Sequence, residues 1–193
     1  MFRHQIREAL TSFRPNELSN VNRRESGVLL LMHQIAGVEH LVFQHRTERV
    51  RYHKGQISFP GGARDTEDGT LLETALRETK EEIGVSGDLI EIYGRLDDTV
   101  TGGTNYLIRP FVGVISSDVR VEFVEAEREV RELFHVPVAH LLSEEARAWK
   151  AVEQDGSIEI TPAYAYGAHI IWGATARMLS QFLELIEPAA RHG

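Results

Sequence analysis

The sequence predicts an α/β fold in which helices pack on both faces of a mixed sheet. Three observations support this prediction: apolar runs of strand length recur along the chain, an amphipathic helical segment lies between two of them, and further helical segments stand near both ends. With 193 residues and 21.8 kDa, the chain has the size of one domain with a proper core. We therefore expect residues 1–193 to form a single domain.

Each predicted element follows from periodicity and from the residues at its ends. Strands are predicted where apolar runs are bounded by glycine or polar turns, at 27–32, 41–45, 89–96, 106–115, 148–153 and 158–165. Helices are predicted where apolar residues recur at helical spacing, at 2–13, about 70–84, 127–134, 138–142 and 173–186. The helix that ends at Gly84 can be capped at its start by Asp68 or Thr70.

Three carboxylates stand within one turn of this central helix. Glu78, Glu81 and Glu82 project from one side at spacings of three and four residues. Like charges at these spacings oppose each other by about 0.2–0.5 kcal/mol per pair, and a bound cation reverses that cost. Mg²⁺ prefers oxygen ligands of this kind, so the three glutamates are candidate metal ligands. The alternative is an acidic helix face that is only solvated.

Two further features of this region bear on the site. Arg77 lies four residues from both Glu73 and Glu81, so it can bridge to a carboxylate on either side, and we expect it to orient Glu81. Before the helix, Gly61 and Gly62 form a turn that lets the backbone approach a ligand closely, and a carbonyl there could add a metal ligand.

A basic segment precedes the glycine turn in a chain whose net charge is −8. Such a local patch suits a phosphate-rich small ligand, because guanidinium groups pair with phosphate oxygens in bidentate fashion. The candidate substrate-binding residues are Arg46, Arg51, His53, Lys54, Gly61 and Gly62. The alternative is a solvated basic loop or strand edge.

The segment from Gly62 to Val85 resembles the Nudix box, a glycine and an acid followed by Arg-Glu, two residues, Glu-Glu, one residue and Gly. Asp68 stands where that family usually has Glu, and eight residues rather than seven separate it from Arg77. Thr79 replaces an apolar residue of the pattern. The upstream string, which runs from Val42 through Arg46 and Arg51 to Gly62, resembles the signature of coenzyme A pyrophosphatases, which share the longer box.

The resemblance implies a Nudix-like α/β/α sandwich with the catalytic helix packed on a mixed sheet. It implies Mg²⁺- or Mn²⁺-dependent hydrolysis of a pyrophosphate bond in coenzyme A or acyl-CoA, giving 3′,5′-ADP and (acyl-)phosphopantetheine. ADP-ribose, dinucleoside polyphosphates and oxidised nucleoside triphosphates are alternative substrates. A catalytically decayed nucleotide-binding module is an alternative of another class, although the complete set of box residues Arg77, Glu78, Glu81 and Glu82 speaks against it.

The reaction needs a general base, and the sequence offers several carboxylates for this role. Glu81 and Glu82 are candidates within the box. The acidic segment 125–130 offers Glu129, which the resemblance favours as a metal ligand or base. A solvated surface charge is the alternative for Glu129. We therefore expect the catalytic residues among Arg77, Glu81, Glu82 and Glu129.

Composition excludes several other function classes. The net charge of −8 and the pI near 5.6 argue against sequence-independent nucleic-acid binding and leave a small nucleotide-type substrate. Without cysteine the chain has no disulfide and no thiolate nucleophile. No stretch reaches the roughly 18–20 apolar residues of a spanning helix, so we expect no membrane partner and a cytoplasmic location. The apolar faces of the two terminal helices could serve a homodimer interface as easily as a core.

Overall fold

The computed structural model of the protein describes residues 2–19, 22–47, 55–101, 105–154 and 156–190. The helices within them are α1 (Phe2–Ser12), α2 (Leu71–Ile83), α3 (Val138–Leu141) and α4 (Gly173–Ala190). The strands are β1 (Arg24–Ile35), β2 (Val38–Arg46), β3 (Ile57–Ser58), β4 (Gly61–Ala63), β5 (Ile90–Arg95), β6 (Thr99–Val100), β7 (Tyr106–Ile115), β8 (Val130–Pro137), β9 (Arg147–Gln154), β10 (Ser157–Tyr166) and β11 (His169–Ile171). Two short 3-10 helices span Gly87–Leu89 and Glu144–Ala146.

The described strands form two sheets. The main sheet has the strand order β3-β2-β1-β7-β5, with β4 beside β1, β6 beside β7 and β8 beside β2. Strands β1 and β7 run parallel, whereas the other pairs of this sheet are antiparallel. The smaller sheet is antiparallel, with the order β11-β10-β9. The main sheet is therefore mixed, as the sequence predicts.

The main sheet divides the core into two apolar layers. Since successive side chains of a strand point to opposite faces, β1 sends Leu29 and Leu31 towards α2, and Leu30 and Met32 towards α1 and α4. Helices thus cover both faces, which confirms the predicted α/β/α arrangement. Phe43 and its neighbours continue the α1 and α4 layer into β2.

The terminal helices are close to their predicted bounds, and α4 extends four residues further than predicted. Ile6 and Leu10 of α1 lie in the same buried cluster as Phe182 and Ile186 of α4. These apolar faces therefore form core within one chain. The homodimer stays a prediction.

The helix predicted over 127–134 is wrong. Residues 127–129 form a turn, and β8 begins at Val130 and pairs antiparallel with β2, where Phe134 lies opposite Phe43. Phe134 and Val136 are buried on alternate positions, as strand residues are. The pairing with β2 overrides the helical propensity of the charged residues in this segment, because packing decides strand formation more than intrinsic preference does.

Helix α2 lies unusually close to strand β1. A Cβ atom at Gly27 would overlap the carbonyl oxygen of Leu71 and lie 3.0 Å from the amide nitrogen of Ala75. The first turn of α2 therefore packs directly against the backbone of β1. This contact fixes the distance between the helix and the sheet.

Candidate active site

Both ends of α2 are closed by specific residues. The hydroxyl of Thr70 accepts a hydrogen bond from the backbone of Glu73 at 3.2 Å, and the side chain of Glu73 accepts one from the backbone of Thr70 at 2.9 Å. This capping box makes Thr70 the cap, rather than Asp68. Gly84 ends the helix in the left-handed conformation, as predicted. Because Glu73 is used in the cap, the expected contact between Glu73 and Arg77 is replaced by another partner.

That partner is Asp68, which binds Arg77 through both carboxylate oxygens. Nε and Nη2 of Arg77 donate to Asp68 at 3.0 and 2.9 Å, and the hydroxyl of Thr74 donates at 2.9 Å. The Arg77 guanidinium holds the pKa of Asp68 well below its usual range, and Asp68 in turn raises the pKa of Arg77. Asp68 therefore fixes the arginine in a charged, oriented state.

Arg77 then reaches the two outer carboxylates of the box. Its Nη1 donates to Glu78 at 2.9 Å and to Glu81 at 3.1 Å, so the predicted contact with Glu81 is present. The Glu78 side chain is 17% exposed and the Glu81 side chain is 59% exposed. Glu81 thus lies at the open side of the cluster, whereas Glu78 lies further in.

Glu82 is the buried member of the cluster. Its side chain is 2% exposed and accepts three hydrogen bonds, from Arg46 at 2.7 Å, Gln44 at 2.8 Å and the backbone amide of Gly61 at 2.9 Å. Burial raises the pKa of Glu82, and Arg46 opposes that shift. The buried charge is therefore compensated from strand β2 and from the glycine turn.

The glycine turn approaches the carboxylates through an amide, and the metal ligand expected from a carbonyl of this turn stays a prediction. Gly61, at φ 146°, donates its amide to Glu82 and packs against the backbone of Val28. A Cβ atom at Gly62 would overlap the carboxylate of Glu78. The turn therefore holds Glu82 directly and leaves room for the side chain of Glu78.

Strand β2 connects the box to the segment before β8. Gln44 and Arg46 lie two residues apart, on the face of β2 that meets α2. Nη2 of Arg46 also lies 3.7 Å from the carboxylate of Glu129, whose side chain is 52% exposed. Arg46 thus brings Glu129 to the rim of the cluster. Gln44 is missing from the predicted site, although its alternation with Arg46 is a signal that could have found it.

The remaining predicted phosphate contacts, Arg51, His53 and Lys54, lie outside the described residues. Their role stays a prediction from the sequence. Within the described chain, Arg46 is the member of the basic segment that contacts the box.

The donor set fits a hard divalent cation. Five described carboxylates share two guanidinium groups in this cluster: Asp68, Glu78, Glu81, Glu82 and Glu129 with Arg46 and Arg77. Burial, and then the charge of Glu82, raise the pKa of Glu78 to about 7, even though Arg77 opposes the shift. A cation with oxygen ligands would relieve this excess of negative charge.

The carboxylates do not yet converge as a metal site would require. The ligand atoms of Glu78, Glu81 and Glu82 do not all lie within 4.8 Å of one another in the described structure. The physical reason is that Arg77 holds Glu81 outwards while Arg46 and Gly61 hold Glu82 inwards.

An oxygen-rich, negatively charged site on a helix that packs on a mixed sheet fits a hydrolase of phosphoric anhydrides that uses a divalent cation. Comparison with known proteins supports this class. The NUDIX domain family model matches residues 22–154. The chain belongs to the Nudix family and is a Nudix-type pyrophosphohydrolase.

Relatives cover most of the chain. A Nudix hydrolase called NudL from Photorhabdus laumondii, described as uncharacterized, is 30% identical over 173 residues, which are 90% of each protein. The mitochondrial coenzyme A diphosphatase NUDT8 of Mus musculus is 32% identical over 165 residues, 84% of this chain and 78% of that protein. A MutT/nudix family protein from Enterococcus faecalis shares the fold, with a TM-score of 0.59 at 13% identity over 88% of this chain and 64% of that one.

None of the helices that the structure describes is long and apolar enough to cross a membrane.

Proposed function

We propose that the protein hydrolyses the pyrophosphate bond of coenzyme A or acyl-CoA to 3′,5′-ADP and (acyl-)phosphopantetheine. One observation carries this proposal: strand β2, which bears the string similar to that of coenzyme A pyrophosphatases, supplies the matching Arg46 directly to the box residue Glu82. The 32% identity to a coenzyme A diphosphatase over 165 residues supports the same substrate.

The unequal use of the carboxylates suggests how a metal ion would be held. A carboxylate has about four acceptor positions. Glu82 uses three of them on protein donors, whereas Glu78 and Glu81 each use one on Arg77. Glu78 and Glu81 would therefore provide most of the oxygen ligands for Mg²⁺ or Mn²⁺. Glu82 would provide one ligand, through its remaining free acceptor position. The ion would neutralise the anionic pyrophosphate and stabilise the leaving phosphate.

The protein residues position the reacting groups around that ion. Asp68 fixes Arg77, and Arg77 fixes Glu78 and Glu81, so the catalytic face of α2 is ordered before substrate binds. Arg46 is placed to contact phosphate oxygens from the rim between Glu82 and Glu129. The predicted phosphate contacts of Arg51, His53 and Lys54 would extend this grip.

Water is the nucleophile of the proposed reaction, and a carboxylate removes its proton. Glu81 and Glu129 suit this role because both side chains are more than half exposed and lie at the open side of the cluster. Glu82 suits it less, because its charge is already paired with Arg46 and the amide of Gly61. We propose Glu129 as the base, since Arg46 brings it to the site from outside the box.

A substrate competition tests the proposal. The purified protein is incubated with coenzyme A, ADP-ribose and diadenosine tetraphosphate at equal concentrations, with and without Mg²⁺ or Mn²⁺, and the products are identified by mass. We expect 3′,5′-ADP and phosphopantetheine, formed only with metal. A clear preference for ADP-ribose or the dinucleoside polyphosphate refutes coenzyme A as the substrate. Tight nucleotide binding without turnover refutes catalysis.

The cytoplasmic location and the homodimer stay proposals beside this function. A cytoplasmic enzyme would meet coenzyme A and its thioesters directly. Size-exclusion chromatography with light scattering distinguishes a 21.8 kDa monomer from a dimer of twice that mass.

A further inference from the structure

A second group of ligand-type side chains lies on the opposite face of the main sheet from the box. Ring nitrogens of His45 and His169 and a carboxylate oxygen of Glu132 all lie within 4.8 Å of one another. Among the residues that the structure describes, His45, Glu132 and His169 are the group of at least three histidine, aspartate or glutamate side chains whose ligand atoms meet this 4.8 Å limit. None of its members belongs to the site of Glu78, Glu81 and Glu82.

The fold brings these residues together from three strands. His45 and Glu132 lie opposite each other in the antiparallel pair β2 and β8. His169 opens β11, which belongs to the smaller sheet. Since Gln44 and Arg46 point towards α2, the alternation of β2 places His45 on the other face. The group therefore lies where the smaller sheet meets the main sheet.

The two histidine rings are held in place by neighbouring groups. The ring of His169 stacks on Phe134, with centroids 4.1 Å apart and planes 9° apart. Nε2 of His45 lies 3.1 Å from the carbonyl oxygen of Gly55, so Nε2 is the donor in this contact and Nδ1 is the ring nitrogen left for a metal ion. A second hydrogen bond of this kind is what orients histidine ligands in metal sites.

The separation of two of the donors is close to that of ligands on a small metal ion. Zn²⁺ binds nitrogen and carboxylate oxygen at about 2.0–2.2 Å, which places the ligand atoms of a tetrahedral site about 3.3 Å apart. Nε2 of His169 lies 3.6 Å from the nearer oxygen of Glu132. The Glu132 side chain is 50% exposed and the His169 side chain is 18% exposed, so an ion can enter from solvent.

We propose that His45, Glu132 and His169 form a second metal site, which binds a borderline divalent cation such as Zn²⁺. Two imidazoles and one carboxylate suit Zn²⁺, whereas the all-oxygen set of the box suits Mg²⁺ or Mn²⁺. Three protein ligands leave a fourth position for water. The ion links β11 to the main sheet through His45, the residue of β2 that precedes Arg46.

The competing explanation is a simple ion pair between protonated His169 and Glu132. Such an ion pair involves only His169 and Glu132, and His45 does not contribute to it. The two explanations therefore differ in whether zinc binds and in whether all three side chains contribute.

A zinc titration of the untagged protein distinguishes them. The titration is made by calorimetry in excess Mg²⁺, which occupies the carboxylate site, and Co²⁺ is used as a spectroscopic probe of coordination geometry. We expect one equivalent of Zn²⁺ per chain and visible Co²⁺ bands typical of nitrogen and oxygen ligation. Binding should also raise the Tm, because an ion that binds only the folded state stabilises it.

Site variants and a matched control complete the test. His45→Ala, His169→Ala and Glu132→Gln should each weaken zinc binding at least tenfold and abolish the rise in Tm. His4→Ala is the control, because His4 also pairs with a glutamate, Glu8, at 3.3 Å on the exposed face of α1. The absence of zinc binding, zinc affinity that is unchanged in His45→Ala, or affinity that is lost equally in His4→Ala overturns the proposal. Glu132→Gln decides the result if His169→Ala does not fold.

Discussion

Two clusters of arginine and carboxylate residues lie on this fold, and they differ in charge balance. In the box cluster, five described carboxylates share Arg46 and Arg77. The second cluster joins the segment after α1 to β5, to the residues that follow β5 and to β7. It has two carboxylates and two arginines: Glu17 and Asp98 with Arg95 and Arg109. Only the box cluster has more carboxylates than arginines.

The second cluster shows what a purely structural network looks like. Both oxygens of Asp98 accept from Arg109, at 2.9 and 2.8 Å, and Leu18 donates its backbone amide at 3.0 Å. Glu17 bridges Arg95 and Arg109 at 2.8 Å each. Each charge there has an opposite partner in the protein. The two clusters therefore differ in their excess of carboxylates, and this excess is what favours the box cluster as the proposed position of a cation.

The largest expected effect is that of Glu82→Gln on catalysis. Removing this charge should lower metal-dependent kcat/KM by at least about 1,000-fold, because the site loses a carboxylate ligand and part of the negative charge that attracts the cation. The free energy of unfolding should fall by about 1–3 kcal/mol without loss of the fold, because Arg46, Gln44 and the amide of Gly61 all donate to Glu82 and a glutamine cannot accept from all three. Steady-state kinetics and urea unfolding measure both. Glu91→Gln, an exposed carboxylate paired with Arg7, is the control; a folded, active Glu82→Gln protein contradicts the assignment.

The opposite pattern is expected for Asp98→Asn. The loss of a fully buried carboxylate that holds Arg109 should lower the free energy of unfolding by about 2–4 kcal/mol. Mn²⁺ affinity should change by less than about twofold, because the balanced cluster holds no metal. Urea unfolding and calorimetry give the two numbers. A large loss of metal affinity would show that the two clusters are not independent.

The pH dependence of metal binding at the box cluster should follow the protonation of Glu78. The pKa of Glu78 in the metal-free protein is raised to about 7, mainly by burial, so a metal must displace its proton below that pH. Mn²⁺ affinity should therefore fall up to about tenfold per pH unit below about pH 7. Titrations at about pH 6, 7 and 8 measure this slope. A slope that persists in Glu78→Gln contradicts the assignment to Glu78.

The same raised pKa has an effect on the metal-free fold. Because the folded state binds this proton more tightly than the unfolded state, its contribution to stability is present below the unfolded pKa of about 4.3 and is lost as the pH rises through about 7. Addition of Mg²⁺ at about pH 8 should restore stability by occupying the same carboxylates.

The smallest expected effect is that of Gly62→Ala. The added methyl group would overlap the carboxylate of Glu78, which must rotate away, so Mn²⁺ affinity should fall about tenfold. Stability should change little, because only the end of a flexible side chain moves. Gly87→Ala is the control, since its methyl group would lie 3.4 Å from Leu76, an ordinary contact. Equal losses in both variants would show a general packing effect.

The sequence predicts most of the elements because their signals are local. Strand β7 matches its prediction at both ends, and α2 ends at the expected Gly84. The stretch 127–134 shows the limit of such signals. Val130, Leu133 and Phe134 fit the spacing of a helix as well as burial in a strand, and only the pairing with β2 decides between them.

The sequence predicts the residues of the candidate site better than it predicts the contacts between them. Glu78 and Glu81 follow from helical spacing, and so does the contact of Arg77 with Glu81. The bond between Asp68 and Arg77 crosses the loop before the helix, where no regular spacing applies. The burial of Glu82 depends on Gln44 and Arg46 from a distant strand, which a single helical pattern cannot reveal.

The contact at Gly27 has a consequence for the whole catalytic helix. Helix α2 touches the sheet there at its first turn, whereas Glu82 lies about 16 Å further along the helix axis. A helix moves as a rigid rod, so a methyl group at position 27 would tilt it and displace Glu78 and Glu82 from the glycine turn. A residue that touches neither metal nor substrate thus sets the reach of the catalytic carboxylates, and its mutational tolerance should be as low as theirs.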